Sequence, residues 1–352
     1  MKKILSVLLA LSLVLLCLTG CGSGASANTG EAATASSEVY ELTLTMHDSQ
    51  TSSQGVYLQS WADQIEKATN NHVKVTIYFG ATLSAAADVA DKVMAGAVDM
   101  GWLYTAYFAG QCPLTDVINL PMQGFGEPIS TTKALWDIYE KYPEVQNEWS
   151  RFKLLMLYGN PGMILCSADK PLTSVEDVKG QTIRCTSGAI TDVLTAWGAS
   201  PVTIPTTDLY EALEKKNVTS YIFEPSGIKT WSLYELTRYY TDVELYDGPF
   251  AVIVNLDSWN KLPKEYQDII EGLSGRNASI AAAEAFAADV EEGRKLITEN
   301  GGEFLTMTDE EYAGFCVEAD KYAEQWAAEQ SKDGFDAAAY LSDAKAIVAS
   351  YK

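Results

Sequence analysis

Side chains able to do covalent or acid–base chemistry are few in this chain, and they are poorly spaced for it. The 352 residues contain two histidines, His47 and His72. No serine lies in a G-x-S-x-G turn, no H-E-x-x-H segment occurs, and no cysteine pairs with a histidine at a recognisable spacing, so local motifs assemble neither a nucleophilic triad nor a zinc hydrolase. His72 belongs to the turn Asn70-Asn71-His72, a solvent-facing position. Cys112, Cys166, Cys185 and Cys316 match no metal or C-x-x-C pattern. Cys166 and Cys185 fall on two predicted strands, MILC and TIRC, and buried free thiols are expected there rather than a bridge. Catalysis by carboxylates alone stays open as the enzymatic alternative. The expectation is a non-enzyme without cofactor or metal. Asp48, Glu224 and Asp247 offer oxygens of the kind hard cations prefer, but nothing in their spacing compels a site.

Charge narrows the partners. Acidic side chains number 47 against 25 basic ones, a formal charge of −22. Such a balance argues against nucleic acid as a partner. If a ligand is an anion, a basic residue inside a cleft must overcome an unfavourable global field, which makes any buried arginine informative.

The N-terminus sets a compartment. Lys2 and Lys3 precede an almost wholly apolar run from Ile4 to Leu18, closed by Leu18-Thr19-Gly20-Cys21. The run is about 15 residues, short of the roughly 20 that a spanning helix requires. It resembles a bacterial lipobox, which implies cleavage before Cys21 and lipidation of its thiol. Residues 22–38 are rich in Gly, Ser, Ala and Thr and read as a flexible tether. The expectation is a body held at a membrane through an N-terminal lipid only.

Beyond the tether, strands and helices alternate. YELTLTM (Tyr40 to Met46) and HVKVTIYF (His72 to Phe79) alternate like strands around a helix carrying Trp61 and Ile65. A second run of strand and helix signals restarts after Asn160-Pro161-Gly162, through TIRC, PVTI and TSYIF. This pattern predicts a mostly parallel α/β sheet in each unit, with ligands beyond the carboxyl ends of strands. DGPFAVIVN (Asp247 to Asn255) reads as a strand returning to the first unit. Lys264 to about Asn300 reads as one helix of roughly 50 Å at 1.5 Å per residue, with a break near Gly272 to Gly275 as the competing reading. Thr308-Asp309-Glu310-Glu311 is a capping box.

The pieces FGATLSAAADVADKVMAGAVDMG (Phe79 to Gly101), LPMQGF, VEDVKGQTIR, WGASPVTIPTTDLYEAL, YELTRYYTD and PFAVIVNLDSWNKLPKEYQ follow one another in a characteristic order. In this order the chain resembles the DctP-like substrate-binding proteins of tripartite ATP-independent periplasmic (TRAP) transporters. The resemblance implies a two-lobed periplasmic-binding-protein-like α/β fold with crossing strands and a long helix spanning both lobes. Its expected division is a signal peptide at 1–20, a tether at 21–38, a first lobe from 39–161 and 250–285, and a second from 162–249 and 286–352. It also implies a monomer that captures a small organic acid and docks on TRAP-type permease subunits outside the cytoplasm. A ligand sensor working with a separate receptor is the alternative.

Arg184 matches the family arginine, and the resemblance implies that it grips the ligand carboxylate. A guanidinium suits this role because its paired donors match two carboxylate oxygens and its charge survives desolvation. The second arginine of many members is replaced here by Met163-Ile164-Leu165-Cys166. Phe223 and Glu224 stand close to where the family places an asparagine or a small residue against the ligand. An inward Glu224 would disfavour dicarboxylates and favour a hydroxy- or amino-substituted monocarboxylate; the alternative is a rim glutamate facing water. His47, Trp102, Tyr104, Ser187, Thr207 and Asn255 complete the expected ligand contacts by position, with ordinary core packing open for Trp102 and a structural cap open for Asn255.

Overall fold

The computed structural model describes residues 38–352 apart from positions 109 and 187. Signal peptide, tether, Cys21 and Ser187 therefore lie outside the described residues. The strands are Tyr40–Thr45 (β1), Val73–Tyr78 (β2), Met100–Tyr104 (β3), Phe152–Gly159 (β4), Ile164–Ser167 (β5), Thr182–Cys185 (β6), Ser200–Thr203 (β7), Ser220–Phe223 (β8), Tyr239–Thr241 (β9), Pro249–Asn255 (β10) and Glu303–Leu305 (β11). They form two sheets, ordered β2-β1-β3-β10-β4 and β11-β9-β5-β8-β6-β7. This is the two-lobed fold expected.

Burial follows sheet position. Edge strand β2 alternates buried and exposed residues, as its alternating sequence requires. β10 lies between β3 and β4 and is buried at all seven positions, which explains its unbroken apolar run. The sheets are mixed rather than mostly parallel. β5 runs against β8 and β9, and β10 runs against β3 and β4. Both strands enter their sheet directly from a crossing between the lobes, so they arrive from the opposite end to their neighbours.

The two crossings are tied to each other. Leu245 N–H donates to Met163 O at 2.8 Å, Met163 N–H to Tyr246 O at 2.9 Å, and Asn160 N–H to Gly248 O at 3.1 Å. Asn160 Oδ1 accepts from Gly248 N at 2.6 Å.

The helical stretch after Pro263 is broken, as the competing reading had it. One helix spans Lys264–Gly272 and the next Gly275–Glu299. Gly275 takes φ +72°, a left-handed conformation that favours glycine, and Trp61 Nε1 donates to the freed carbonyl of Leu273 at 3.0 Å. The second helix, 25 residues and about 37 Å long, packs on β4 and helix Pro128–Lys141 at one side and on helix Pro225–Thr230 at the other. At Gly293 a Cβ would stand 2.3 Å from Pro225 O, so only glycine permits this approach.

The capping box forms at Thr308 and Glu311, opening helix Asp309–Gln330. That helix packs against helix Ala189–Ala196, and the last helix, Ala337–Ala349, packs against helix Pro128–Lys141. Among the described residues no helix is long and apolar enough to cross a membrane.

Candidate functional site

The carboxyl ends of four strands converge on one cavity. His47 and Asp48 follow β1, Trp102 and Tyr104 close β3, Arg184 lies in β6, and Phe223 and Glu224 end β8; all line the same space, whose atom-free volume is about 570 Å³. Tyr246 from a crossing, Phe250 from β10 and Phe286 from the long helix add further wall. The placement is the one expected for ligands of α/β sheets.

Arg184 has 0 % exposure. Its Nε donates to Ile204 O at 2.9 Å, Nη1 to Ile222 O at 3.3 Å and Nη2 to Thr206 Oγ1 at 3.1 Å, and the guanidinium lies 5.4 Å from the centre of the Phe223 ring. These bonds engage three of its five N–H groups. Among the described residues no carboxylate forms an ion pair with it. Ordinarily a buried charge is paired, because desolvation without a counter-charge costs several kcal/mol.

Thr206 joins this arginine to the other lobe. Tyr107, in the turn after β3, shares a 3.0 Å hydrogen bond with Thr206 Oγ1, and its oxygen accepts from Thr206 N at 3.3 Å. Tyr107 thus takes the place of an N-cap for helix Thr206–Glu214, whose own N-cap, Pro205, has no side-chain cap bond.

The first lobe presents a row of rings. His47 stacks on Trp102 at 4.6 Å, Trp102 on Phe250 at 4.5 Å, and Phe250 on Tyr104 at 4.7 Å. Trp102 Nε1 donates to Tyr158 Oη (2.6 Å), Tyr158 to Gln54 Oε1 (2.9 Å), and Gln54 to Ala282 O (3.0 Å), which anchors the row to the long helix.

Among the described residues, four buried polar atoms on this cavity lack a hydrogen-bond partner: His47 Nδ1, Tyr104 Oη, Thr186 Oγ1 and Ser226 Oγ. Tyr104 and Thr186 approach each other without meeting hydrogen-bond geometry. Buried groups of this kind are normally satisfied, and their convergence marks a place for a polar solute.

Burial also displaces the titrations. His47 falls to about 4, so it is neutral and its 3.9 Å approach to Asp48 is no ion pair. Burial, with the nearby Asp289 charge, lifts Asp48 to about 7. Glu224 rises to about 8, mainly through burial and further through Asp48, against the opposing pull of Arg184. Gly227 makes room for this carboxyl: a Cβ there would stand 2.4 Å from Glu224 Oε1 and 1.9 Å from the Phe223 ring.

Of the expected contacts, the structure brings together Arg184, Glu224, Phe223, His47, Trp102 and Tyr104. Glu224 points inward, with 7 % exposure. Thr207 is a correction: it is exposed and bonds to Asp208, while Thr206, one residue earlier, takes the buried first position of the helix. Asn255 is a second correction. It lies at the far end of β10, where Oδ1 accepts from Ser258 N and Nδ2 donates to Val93 O. Ser187 lies outside the described residues. Tyr107, Thr186, Ser226 and Phe286 were not foreseen; only Thr186, two residues beyond Arg184 and just past the end of β6, carried a positional signal. Cys112, Cys166, Cys185 and Cys316 are free, with β8 lying between the strands of Cys166 and Cys185. Among the described residues no group of three or more His, Cys, Asp or Glu is placed to hold a metal.

A buried guanidinium and unsatisfied polar atoms between two α/β lobes define a solute-binding protein. The family of bacterial extracellular solute-binding proteins, family 7 (DctP), matches residues 44–330, and the chain belongs to it. The outer membrane transporter protein TsaT of Comamonas testosteroni is 25 % identical over 227 residues, 62 % of this chain; the chain spans 65 % of that relative's length. The 2,3-diketo-L-gulonate-binding periplasmic protein YiaO of Escherichia coli is 21 % identical over 277 residues, 78 % of this chain and 84 % of its own. A TRAP periplasmic solute-binding protein from Bordetella bronchiseptica, solved with bound (R)- and (S)-mandelate, superposes with a TM-score of 0.82 at 28 % identity, covering 89 % of this chain and 99 % of that one.

Proposed function

We propose that the chain captures a small organic monocarboxylate between its lobes and delivers it to a TRAP-type permease. The observation that carries this is Arg184: a wholly buried guanidinium, held in place by two carbonyls and a hydroxyl, with no carboxylate ion pair among the described residues. The solute carboxylate supplies the counter-charge, and bidentate pairing fixes its orientation. Mandelate in the Bordetella relative is an acid of this kind. The aromatic row gives the solute an apolar wall, and closure follows from contacts shared between lobes, since ligand favours whichever state it binds better.

Retention outside the cell rests on the lipobox reading, with Cys21 as the lipid acceptor and residues 22–38 as the tether. The protein works as a monomer. Its lobes divide near residues 161 and 249, where the chain crosses.

Calorimetry of the chain and its Arg184→Ala variant against organic acids tests the reading. Truncating one partner of a buried charge pair costs about 2–5 kcal/mol. Binding of the best acid is expected to weaken at least ~30-fold. Unchanged affinity would refute the role of Arg184.

A further inference from the structure

Charge in the cavity specifies the solute more closely. Asp48 stands at the end of β1 in the first lobe and Glu224 at the end of β8 in the second, 9 % and 7 % exposed, both lining the same space as Arg184. Among the described residues no lysine or arginine forms an ion pair with either carboxyl. His47, beside Asp48, is neutral. The nearby Asp289 is bonded to Lys229, which spends that cation on the long helix and leaves none for Asp48. A plain monoanion bound on Arg184 would leave two buried acids that cannot ionise without a net charge of about −2 in a desolvated site, which burial strongly disfavours.

We propose that the solute is a zwitterion, its carboxylate on Arg184 and an ammonium group between Asp48 and Glu224. This rests on the carboxylate reading given above. An ammonium has N–H groups for both carboxylates and one more, which Ser226 Oγ or His47 Nδ1 is able to accept, both being buried without a partner. The ammonium offsets one carboxylate, so the charges sum to about −1 rather than −2 with both acids ionised, and to zero with one of the two protonated. A hard cation in the ammonium's place would want about six oxygens or more, and among the described residues no group of three or more His, Cys, Asp or Glu gathers to supply them.

Three compounds of one shape provide the probe: phenylacetate, mandelate and phenylglycine carry hydrogen, hydroxyl and ammonium at the same carbon. 4-Methylpentanoate, its 2-hydroxy derivative and leucine form an aliphatic set. The full chain is titrated with each by calorimetry, in two buffers of different ionisation enthalpy at pH 7.5. The ammonium member is expected to bind at least ~10-fold tighter than its partners, as charge-assisted bonds outweigh neutral ones. It is also expected to release protons, because a cation near Asp48 and Glu224 lowers both. A plain acid takes protons up instead. Groups facing the pair are Arg184, His47, Asp289, Tyr104, Tyr158, Tyr246 and Cys166; at this pH His47 is already neutral, and burial raises the three tyrosines and the thiol, so they keep their protons.

Glu224→Gln should weaken the ammonium member ~10-fold and leave the plain acid as tight or tighter. Should plain or hydroxy acids bind best, with proton uptake and Arg184 dependence, the zwitterion assignment falls while the carboxylate reading stands. Acid binding that needs added calcium and is lost with chelator likewise overturns it in favour of a cation. Binding indifferent to Arg184→Ala overturns both. If no member of either set binds, native mass spectrometry of the purified chain decides: a co-purified amino-carboxylate upholds the proposal and any other solute overturns it.

Discussion

Gly293→Ala sets two physical effects against each other. Within an exposed helix, alanine is better than glycine by about 0.8–1 kcal/mol, so propensity alone predicts a more stable protein. Here the added Cβ would lie 2.3 Å from Pro225 O and 2.7 Å from Pro225 C, both backbone atoms that cannot rotate away. Forcing helix Pro225–Thr230 off the long helix is an overpacking strain of about 1–3 kcal/mol, so the net change is destabilising, by up to about 2 kcal/mol. Gly314 is the control. It lies in helix Asp309–Gln330 and its Cβ would meet only Val175 Cγ2, at 3.9 Å, so Gly314→Ala should gain most of the propensity difference. Urea denaturation of the two variants should therefore move in opposite directions. Displacement of helix Pro225–Thr230 also moves Glu224 at its N-cap, so Gly293→Ala should weaken solute binding and Gly314→Ala should not. A Gly293→Ala midpoint above wild type would refute the close approach of the two helices.

Tyr107→Phe removes a hydroxyl that bonds to both Thr206 N and Thr206 Oγ1; the loss of about 1–2 kcal/mol should appear as a solute dissociation rate raised several-fold in stopped-flow fluorescence. Glu224 rises from 4.5 to about 8 on folding, so between those values the folded state holds more protons and this group's contribution makes stability fall as pH rises. Glu224→Gln should consequently gain on wild type as pH goes from 5 to 8, by an amount on the order of 1 kcal/mol or more at pH 8, read from denaturation curves at each pH. Alkylation of the native protein followed by peptide mass spectrometry should modify Cys316, which is partly exposed, and spare Cys112, Cys166 and Cys185 until unfolding.

Much of the architecture is legible because it depends on local periodicity. The alternating β2, the fully apolar β10 and the capping box at Thr308 each announce themselves within a few residues. Mixed strand direction is not local: it follows from where β5 and β10 enter, which depends on crossings that close only in three dimensions. The helix break was visible as Gly272 and Gly275, yet its choice over a continuous helix needed Trp61, over 200 residues earlier, to accept the role of donor to Leu273 O. In the site, strand-end residues such as Arg184 and Glu224 could be placed by chain position. Thr206 and Thr207 differ by one residue, and only the helical register decides which hydroxyl turns inward. Tyr107, Ser226 and Phe286 come from turns and helices whose facing side is set by packing, so spacing carried no mark of them.

The paired crossings have a mechanical consequence. Since Met163, Asn160, Leu245, Tyr246 and Gly248 are joined across the two connecting segments, neither segment can twist alone without breaking backbone bonds. They behave as a double-stranded strap with one easy axis, which resists shear and sideways wobble while letting the halves nod. Any closure of the lobes on a solute would therefore be guided along one path by backbone bonds rather than by side chains.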